Sequence, residues 1–317
     1  MKEKLFVVKE EALGKRIDVY LTELLADLTR SQLQRLIEEN KVLVNGQTVK
    51  ANYKLKAQDR IICLLSEPEI AAVLPEKMPL EIIYEDEDLI VVNKPRGMLV
   101  YPASGNYSGT LVNALLDHCG ELSQAKDSLR PGIVHRLDKD TTGLIVAAKK
   151  NDIHEELVRQ FKTGVVQKEY LALVHGVITE PGGIIDAPIG RDPKNRLRMA
   201  VILKNSKQAV TKYEVIERLE NYTLLQCRLV TGRTHQIRVH LAYLRHPVVG
   251  DFKYITSKVQ QEKGRDLGLK GQALHAFSLS FIHPRSSERL AFVVAPPEDF
   301  VNALRKLGSA SIANFVY

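Results

Sequence analysis

An aspartate in a polar turn just ahead of a rigid apolar strand is a position where a protein can hold a reactive carboxylate. Asp138 has that setting. The run Gly132-Ile133-Val134-His135-Arg136-Leu137-Asp138-Lys139-Asp140-Thr141-Thr142-Gly143 leads directly into the strand-like Leu144 to Ala148. Taken alone, the pattern also fits a surface turn in which Asp140 and Thr141 only bond nearby backbone. A second chemically rich stretch follows about a hundred residues later, Leu229-Val230-Thr231-Gly232-Arg233-Thr234-His235-Gln236-Ile237-Arg238-Val239-His240-Leu241. Ile237, Leu241 and Leu244 recur at helical spacing, so Arg233 and Arg238 lie near a helix start, with Gly232 supplying the turn.

Other chemistries fit these residues less well. His235 and His240 are five apart, on different helix faces, with no acid between them and no cysteine nearby. A zinc protease needs a spacing of four and a glutamate after the first histidine, so the histidines read as structural and no metal is expected. His135-Arg136-Leu137-Asp138 is not a kinase catalytic loop, in which the acid directly follows the arginine, and no glycine-rich phosphate loop precedes it. Asp138-Lys139-Asp140-Thr141 loosely matches the phosphorylated aspartate of cation pumps, which need membrane spans, and the chain has no apolar run of roughly 20 residues. A two-carboxylate glycosidase would need a second acid in the cleft.

The elements that must position these groups fall into two units. A chain of 317 residues exceeds one average domain, and 44% hydrophobic with 26% charged residues is ordinary for a soluble protein. Three scattered cysteines (Cys63, Cys119, Cys227) exclude a disulfide framework and fit a reducing cytoplasm. The net charge of +7 favours a polyanionic partner. Ile17, Leu21, Leu24 and Leu25 predict one helix, and Leu33, Leu36 and Ile37 predict a second over Ser31 to Glu39. Asn45-Gly46 between Val42-Leu43-Val44 and Gln47-Thr48-Val49 predicts a hairpin. Between Arg30 and Lys56, six bases face two acids, a composition suited to phosphate backbone or simply to a solvated helix face. Ser66 to Leu80 carries Pro68, Pro75 and Pro79 without periodicity, which predicts a first domain over 14–72, a linker over 73–80 and a second domain over 81–317. There, hairpin strands are expected around Glu85-Asp86-Glu87-Asp88, helices over Leu111 to His118 and Asp152 to Lys162, and strands at Tyr170 to Val174, Val210 to Glu217, Thr223 to Leu229 and Leu290 to Val294. Strands with a few helices and no βαβ regularity predict an α+β fold on a mostly antiparallel sheet.

The first unit resembles the small alpha-L RNA-binding domain of a small-subunit ribosomal protein and several RNA-modifying enzymes, through Arg16-Ile17-Asp18, Thr29-Arg30-Ser31-Gln32 and Val42-Leu43-Val44-Asn45-Gly46. That resemblance makes Arg30, Ser31, Gln34, Lys41 and Lys54 candidate RNA contacts. The second unit resembles the pseudouridine synthases of the RluA family, in the RluD-like branch. The matching motifs are Asn93-Lys94-Pro95, His135-Arg136-Leu137-Asp138 with Thr141-Thr142-Gly143, Lys168-Glu169-Tyr170, Gly232 through His240, and Ala273-Leu274-His275-Ala276. Tyr101-Pro102 stands where relatives usually have His-Pro, and Phe252-Lys253-Tyr254 replaces a proline-containing turn after Gly250-Asp251.

The resemblance implies isomerisation of uridine to pseudouridine in RNA, without net redox or hydrolysis and so without a cofactor. It assigns Asp138 as nucleophile, open to attack on C1′, attack on C6 or a glycal route. It makes Arg238 the ionic partner, expected as a bidentate guanidinium. Tyr170 becomes the ring that stacks on uracil and helps move a proton from C5 or C2′, with Lys168 steadying its phenol. Arg136 is the candidate to fill the space of the everted base, or else a phosphate contact, and His135, Lys168, Arg233, His235 and Gln236 join it as base-flipping or RNA-binding candidates. The implied partner is RNA, 23S ribosomal RNA or its precursor particles foremost, acted on by a cytoplasmic monomer. A non-catalytic RNA-binding or ribosome-assembly factor is the alternative, and a nucleoside hydrolase releasing free uracil is a third.

Overall fold

The computed structural model describes residues 2–25, 28, 30–65, 73–103, 106–124 and 129–315. The chain divides into two compact units, Met1–Ala72 and Val73–Tyr317. Among the described residues no helix is long and apolar enough to cross a membrane.

In the first unit, α1 (Ile17–Leu24) and α2 (Arg30–Glu38) pack beside a four-stranded sheet of β1 (Lys2–Val7), β2 (Val42–Val44), β3 (Gln47–Thr48) and β4 (Arg60–Leu65), in the order β1-β4-β2-β3. The predicted helices and the Asn45-Gly46 hairpin form as expected, and Ile17, Leu21, Leu33, Ile37 and Val42 close the core. Strands β1 and β4 were not expected from the sequence. They pair antiparallel from Lys2↔Leu65 to Val7↔Arg60, so the ordered unit begins well before residue 14. The side chain of Ser31 and the residues Ser66–Ala72 lie outside the described residues.

The second unit is built on β5 (Glu81–Glu85), β6 (Leu89–Lys94), α3 (Leu111–Cys119), β7 (Thr142–Ala148), α4 (Asn151–Thr163), β8 (Gln167–His175), β9 (Gly182–Asp186), β10 (Ile189–Arg191), β11 (Met199–Val201), β12 (Ser206–Lys207), β13 (Val210–Leu219), β14 (Tyr222–Leu229), α5 (Gln236–Tyr243), α6 (Lys258–Asp266), β15 (Leu274–Ile282), β16 (Arg289–Val293) and α7 (Glu298–Lys306). Nine strands form one sheet in the order β5-β6-β7-β15-β8-β14-β13-β9, with β16 on β15. The α+β architecture is as the sequence predicts. All its pairings are antiparallel except β7–β15, a two-residue parallel contact, Thr142↔His275 and Gly143↔Ala276. The apolar run in β7 is buried over its whole length, as a central strand requires.

Three features depart from the sequence expectation. Residues 73–80 have no regular structure, but they are tied to the second unit: Asn113 Nδ2 donates to the Leu74 carbonyl (2.8 Å), and Glu76 accepts from the Gly109 amide (2.6 Å). The central strand β15 was visible only as a motif, because His275 and the serines break its apolar alternation and a bulge lies between Ala276 and Ser278. The small sheet β11-β10-β12 was not anticipated, and its residues Ile189, Met199 and Val201 pack with Val239 of α5.

Candidate active site

The loop before β7 is held by its backbone. Buried Lys94 donates from Nζ to the carbonyls of Pro95, Met98 and Lys139 at 2.8, 3.0 and 3.0 Å. Arg96 Nη1 donates to the carbonyls of Asp140 (2.8 Å) and Gln272 (2.7 Å). Gln272 Nε2 donates to Thr141 Oγ1 (2.7 Å), and Thr142 Oγ1 meets His275 Nδ1 (2.8 Å), whose other nitrogen faces the Val294 carbonyl at 3.2 Å. The motifs around Lys94, Thr141-Thr142-Gly143 and His275 thus converge to clamp one loop. A side chain at Gly143, where φ is +111°, would strike the Ala276 backbone, so only glycine lets the parallel strands meet there. Leu137 anchors the loop in the core, and Asp138 emerges beside it, half-buried.

Arg238 comes from the first turn of α5, and its Nη1 donates to Asp138 Oδ2 at 2.8 Å. The structure corrects the expected bidentate pairing. The guanidinium fork engages Asp251 instead, Nε to Oδ2 at 2.6 Å and Nη2 to Oδ1 at 2.9 Å. Asp251, buried and braced by the Lys253 amide (3.1 Å), orients Arg238 so that one N–H remains for Asp138. Among the described residues, no hydrogen bond reaches Asp138 Oδ1. His235 Nε2 lies 3.9 Å from it.

His235 caps α5 in the left-handed region (φ 56°), a conformation costly for a non-glycine residue. Its Nδ1 lies 2.8 Å from Tyr254 Oη, which accepts from the Met199 amide at 3.0 Å. The Tyr254 hydroxyl thus links the His235 ring to the Met199 backbone, and Nε2 is the ring nitrogen that faces Asp138. Burial pushes the imidazole down to about 4, against the opposing pull of Asp138. Tyr170, on β8 between Cys227 and Ala276, lines the same cleft of about 350 Å³ with Arg136, Asp138, Arg233, His235 and Arg238. Burial first, and the Asp138 charge second, hold its phenol well above the ordinary tyrosine range, so it stays protonated.

Not every predicted residue reaches the cleft in the expected way. Lys168 makes no hydrogen bond to Tyr170; its ammonium stands over Phe161, 5.0 Å from the ring centroid. His135 turns inward, stacked on Phe161 (centroids 4.6 Å apart), with Nε2 accepting from the Val146 amide at 3.1 Å. Gln236 donates to the Val210 carbonyl (3.0 Å) and Thr211 Oγ1 (2.9 Å) and accepts from Thr231 Oγ1 (2.7 Å) and the Arg233 amide (2.9 Å). Its amide is spent bracing the α5 turn. His240 bonds Thr211 Oγ1 and the Ala187 carbonyl, both at 2.9 Å, so the two histidines of the motif point to separate partners. Exposed Arg136 lies over the Tyr101 ring (4.9 Å) and donates to its hydroxyl. Asp86, Asp88 and His283 could in principle group around a cation, yet they are engaged by one another and by Tyr84, Lys150 and Arg285.

These motifs meet at one cleft, and comparison with known proteins gives the lineage. A family model described as RNA pseudouridylate synthase matches residues 88–243, and the S4 domain model matches residues 15–61. An uncharacterised RNA pseudouridine synthase of Bacillus subtilis (YlyB) is 47% identical, covering 94% of this chain and 96% of its own. The chain belongs to the RNA pseudouridine synthases. Ribosomal large subunit pseudouridine synthase D of Neisseria meningitidis serogroup B is 44% identical over 94% of this chain and 80% of its own. The solved human RNA pseudouridylate synthase domain containing 4 is 29% identical with a TM-score of 0.56, covering 72% of this chain and 93% of that one.

Within this pseudouridine synthase, sequence reasoning missed Asp251, Tyr254 and Tyr101 as parts of the site. Tyr101 and Tyr254 are the two departures from the family pattern, and each proves to touch a motif residue, Arg136 and His235 respectively. In the S4 domain, Arg30 and Gln34 are bound to buried Asp18, Arg30 by Nε (3.0 Å) and Nη2 (2.9 Å) and Gln34 by Nε2 (2.7 Å). Half of the Arg30 side chain (51%) stays exposed; Lys41 pairs with Glu39 at 2.7 Å, and Lys54 is exposed.

Proposed function

We propose that this enzyme converts uridine to pseudouridine in large-subunit (23S) ribosomal RNA, with Asp138 as the nucleophile acting on a base turned out of the RNA. The observation that carries the reading is the Asp138 carboxylate at the wall of the cleft, with Oδ2 tied to Arg238 and Oδ1 left without a hydrogen bond among the described residues. The rRNA assignment draws on relatives named ribosomal large subunit pseudouridine synthase D.

The reaction breaks the bond between C1′ and N1, turns the uracil and joins C1′ to C5; C5 gives up its proton and N1 gains one, so the composition is unchanged. Asp138 Oδ1 offers its lone pairs while Arg238 balances the charge on the other oxygen. The protonated Tyr170 presents an uncharged ring for the uracil and accepts a proton only by passing its own on. Arg136, resting on Tyr101 in the free protein, is placed to enter the gap left by the everted nucleotide. In the S4 domain, Arg30, Lys41 and Lys54 offer contacts to phosphates outside the target loop. Mapping pseudouridines in 23S rRNA from cells with and without the gene tests the proposal. It stands if defined positions lose the modification and regain it with the wild-type chain but not with Asp138→Asn. An unchanged map overturns the rRNA assignment, and free uracil as product overturns the isomerisation.

A further inference from the structure

Beside the cleft lies a larger groove, of about 1160 Å³, bounded by Phe161, the start of β8 and the Leu229–Arg233 segment. Leu229 and Arg233 line both spaces, so the groove continues from the cleft. Its charge is one-sided. Lys162, Lys168, Lys212, Arg228 and Arg233 line it, and no acid does. Among the described residues only Arg228 is offset, by Glu169, to which its Nε donates at 3.0 Å. Arg233 anchors its stem by donating from Nε to the Gln208 carbonyl (2.9 Å), and neither Nη group has a hydrogen bond among the described residues.

Lys168 is the unusual member. The residue is half-buried and its ammonium sits over the Phe161 ring at 5.0 Å, with no carboxylate in ion-pairing range among the described residues. Burial pushes it down to about 8, with no acid to oppose the fall. Across from it, a Cβ on Gly232 would lie 3.9 Å from Nζ and meet nothing else, so this wall of the groove is kept low in front of the amine. A sequestered cation without a counter-charge is unfavourable unless a ligand brings the anion. A nucleotide in the cleft has its own phosphates next to it, and the groove is the cationic space that adjoins.

We propose that this groove binds the phosphodiester backbone flanking the target uridine, with Lys168 and Arg233 as its phosphate contacts. The inference rests on the reading of the chain as an RNA uridine isomerase and adds the place where the adjoining strand runs. Lys168 then serves substrate binding rather than the Tyr170 phenol.

The probe is a hairpin RNA with one loop uridine, copied from a site the wild-type chain converts, and two versions with a neutral methylphosphonate linkage on one side or the other of that uridine. Affinities are measured over a salt series with the full chain carrying Asp138→Asn, so that turnover does not intrude. One neutral linkage weakens binding about tenfold, and adding Lys168→Gln produces a similar loss, abolishes sensitivity to that linkage and lowers the salt slope by roughly one. Lys168→Arg keeps the affinity. Arg233→Gln, at an exposed residue, gives the same readout should Lys168→Gln fail to fold. Undiminished linkage sensitivity in both glutamine variants defeats the groove, as does a Lys168→Gln chain with Asp138 intact that binds normally and loses only kcat. A wild-type chain that forms no pseudouridine in 23S rRNA, so that no such site exists to copy, would instead defeat the function on which the groove rests.

Discussion

Asp18 and Asp138 are both acids set against arginines, and they do opposite jobs. In the S4 domain, buried Asp18 receives Arg16 on both oxygens (3.0 and 3.1 Å), Arg30 twice (3.0 and 2.9 Å) and Gln34 (2.7 Å). Both oxygens are engaged, four donors meeting on Oδ2 and one on Oδ1, and the carboxylate binds α1 to α2. In the catalytic domain, the fork of Arg238 goes to Asp251, and Asp138 receives one N–H on one oxygen. Identical groups become a strut when crowded with donors and keep an open oxygen when left short of them. An arginine near an acid therefore says little; the number of donors per oxygen says more.

The largest expected effect comes from removing the unsaturated oxygen. Asp138→Asn keeps RNA affinity within about threefold and loses activity by roughly 10³-fold or more, read by tritium release from C5-labelled uridine in RNA. Near-normal release would end the distinction between the two acids. Next is the brace. Asp251→Asn frees Arg238 to rotate and lowers kcat by about 10²-fold with little change in RNA affinity. A variant with wild-type kcat would show that Asp138 needs no oriented guanidinium.

The strut should behave in the reverse way. Asp18→Asn leaves the chemical step on a short hairpin unchanged and destabilises the S4 domain by roughly 2 kcal/mol, measured as its unfolding transition. Burial raises the Asp18 pKa, but the donors from Arg16, Gln34 and Arg30 outweigh it and bring it from 3.8 to about 2. A depressed carboxyl pKa gives stability that is complete above about pH 4 and lost as the pH falls through 2. Wild-type unfolding should show that acid-side loss and Asp18→Asn should lack it; superimposable pH profiles would contradict the assignment. The smallest effect is expected at Tyr254→Phe, which removes the hydroxyl fixing His235 and lowers kcat by less than about tenfold. A loss as large as that of Asp251→Asn would promote His235 from neighbour to participant.

How much of this was legible beforehand follows from how local each signal is. Asp138 and Arg238 stand out because each lies in a long run of chemically specific residues, and the helix period placed Arg238 at the start of α5. Asp251 follows a glycine in a featureless turn, and only folding brings it to the fork of Arg238. Strand β15 escaped notice because its central neighbours β7 and β8 lie roughly a hundred residues upstream and its own alternation is broken by a bulge, although β16 pairs with it close by in sequence. The inward turn of His135 and the saturation of Gln236 were equally hidden, since motif membership does not say which way a side chain faces.

The narrow parallel contact at Gly143 and Ala276 has a mechanical meaning. It is the seam between two blocks, β5-β6-β7 on one side and β15-β8-β14-β13-β9 on the other. Asp138 hangs from the first block and Arg238 from the second, so the proposed catalytic pair is assembled across the joint like two jaws on one hinge pin. Keeping the jaws aligned is therefore a task of the sheet's backbone, and a methyl group at the pin would part Asp138 from Arg238 without touching either residue.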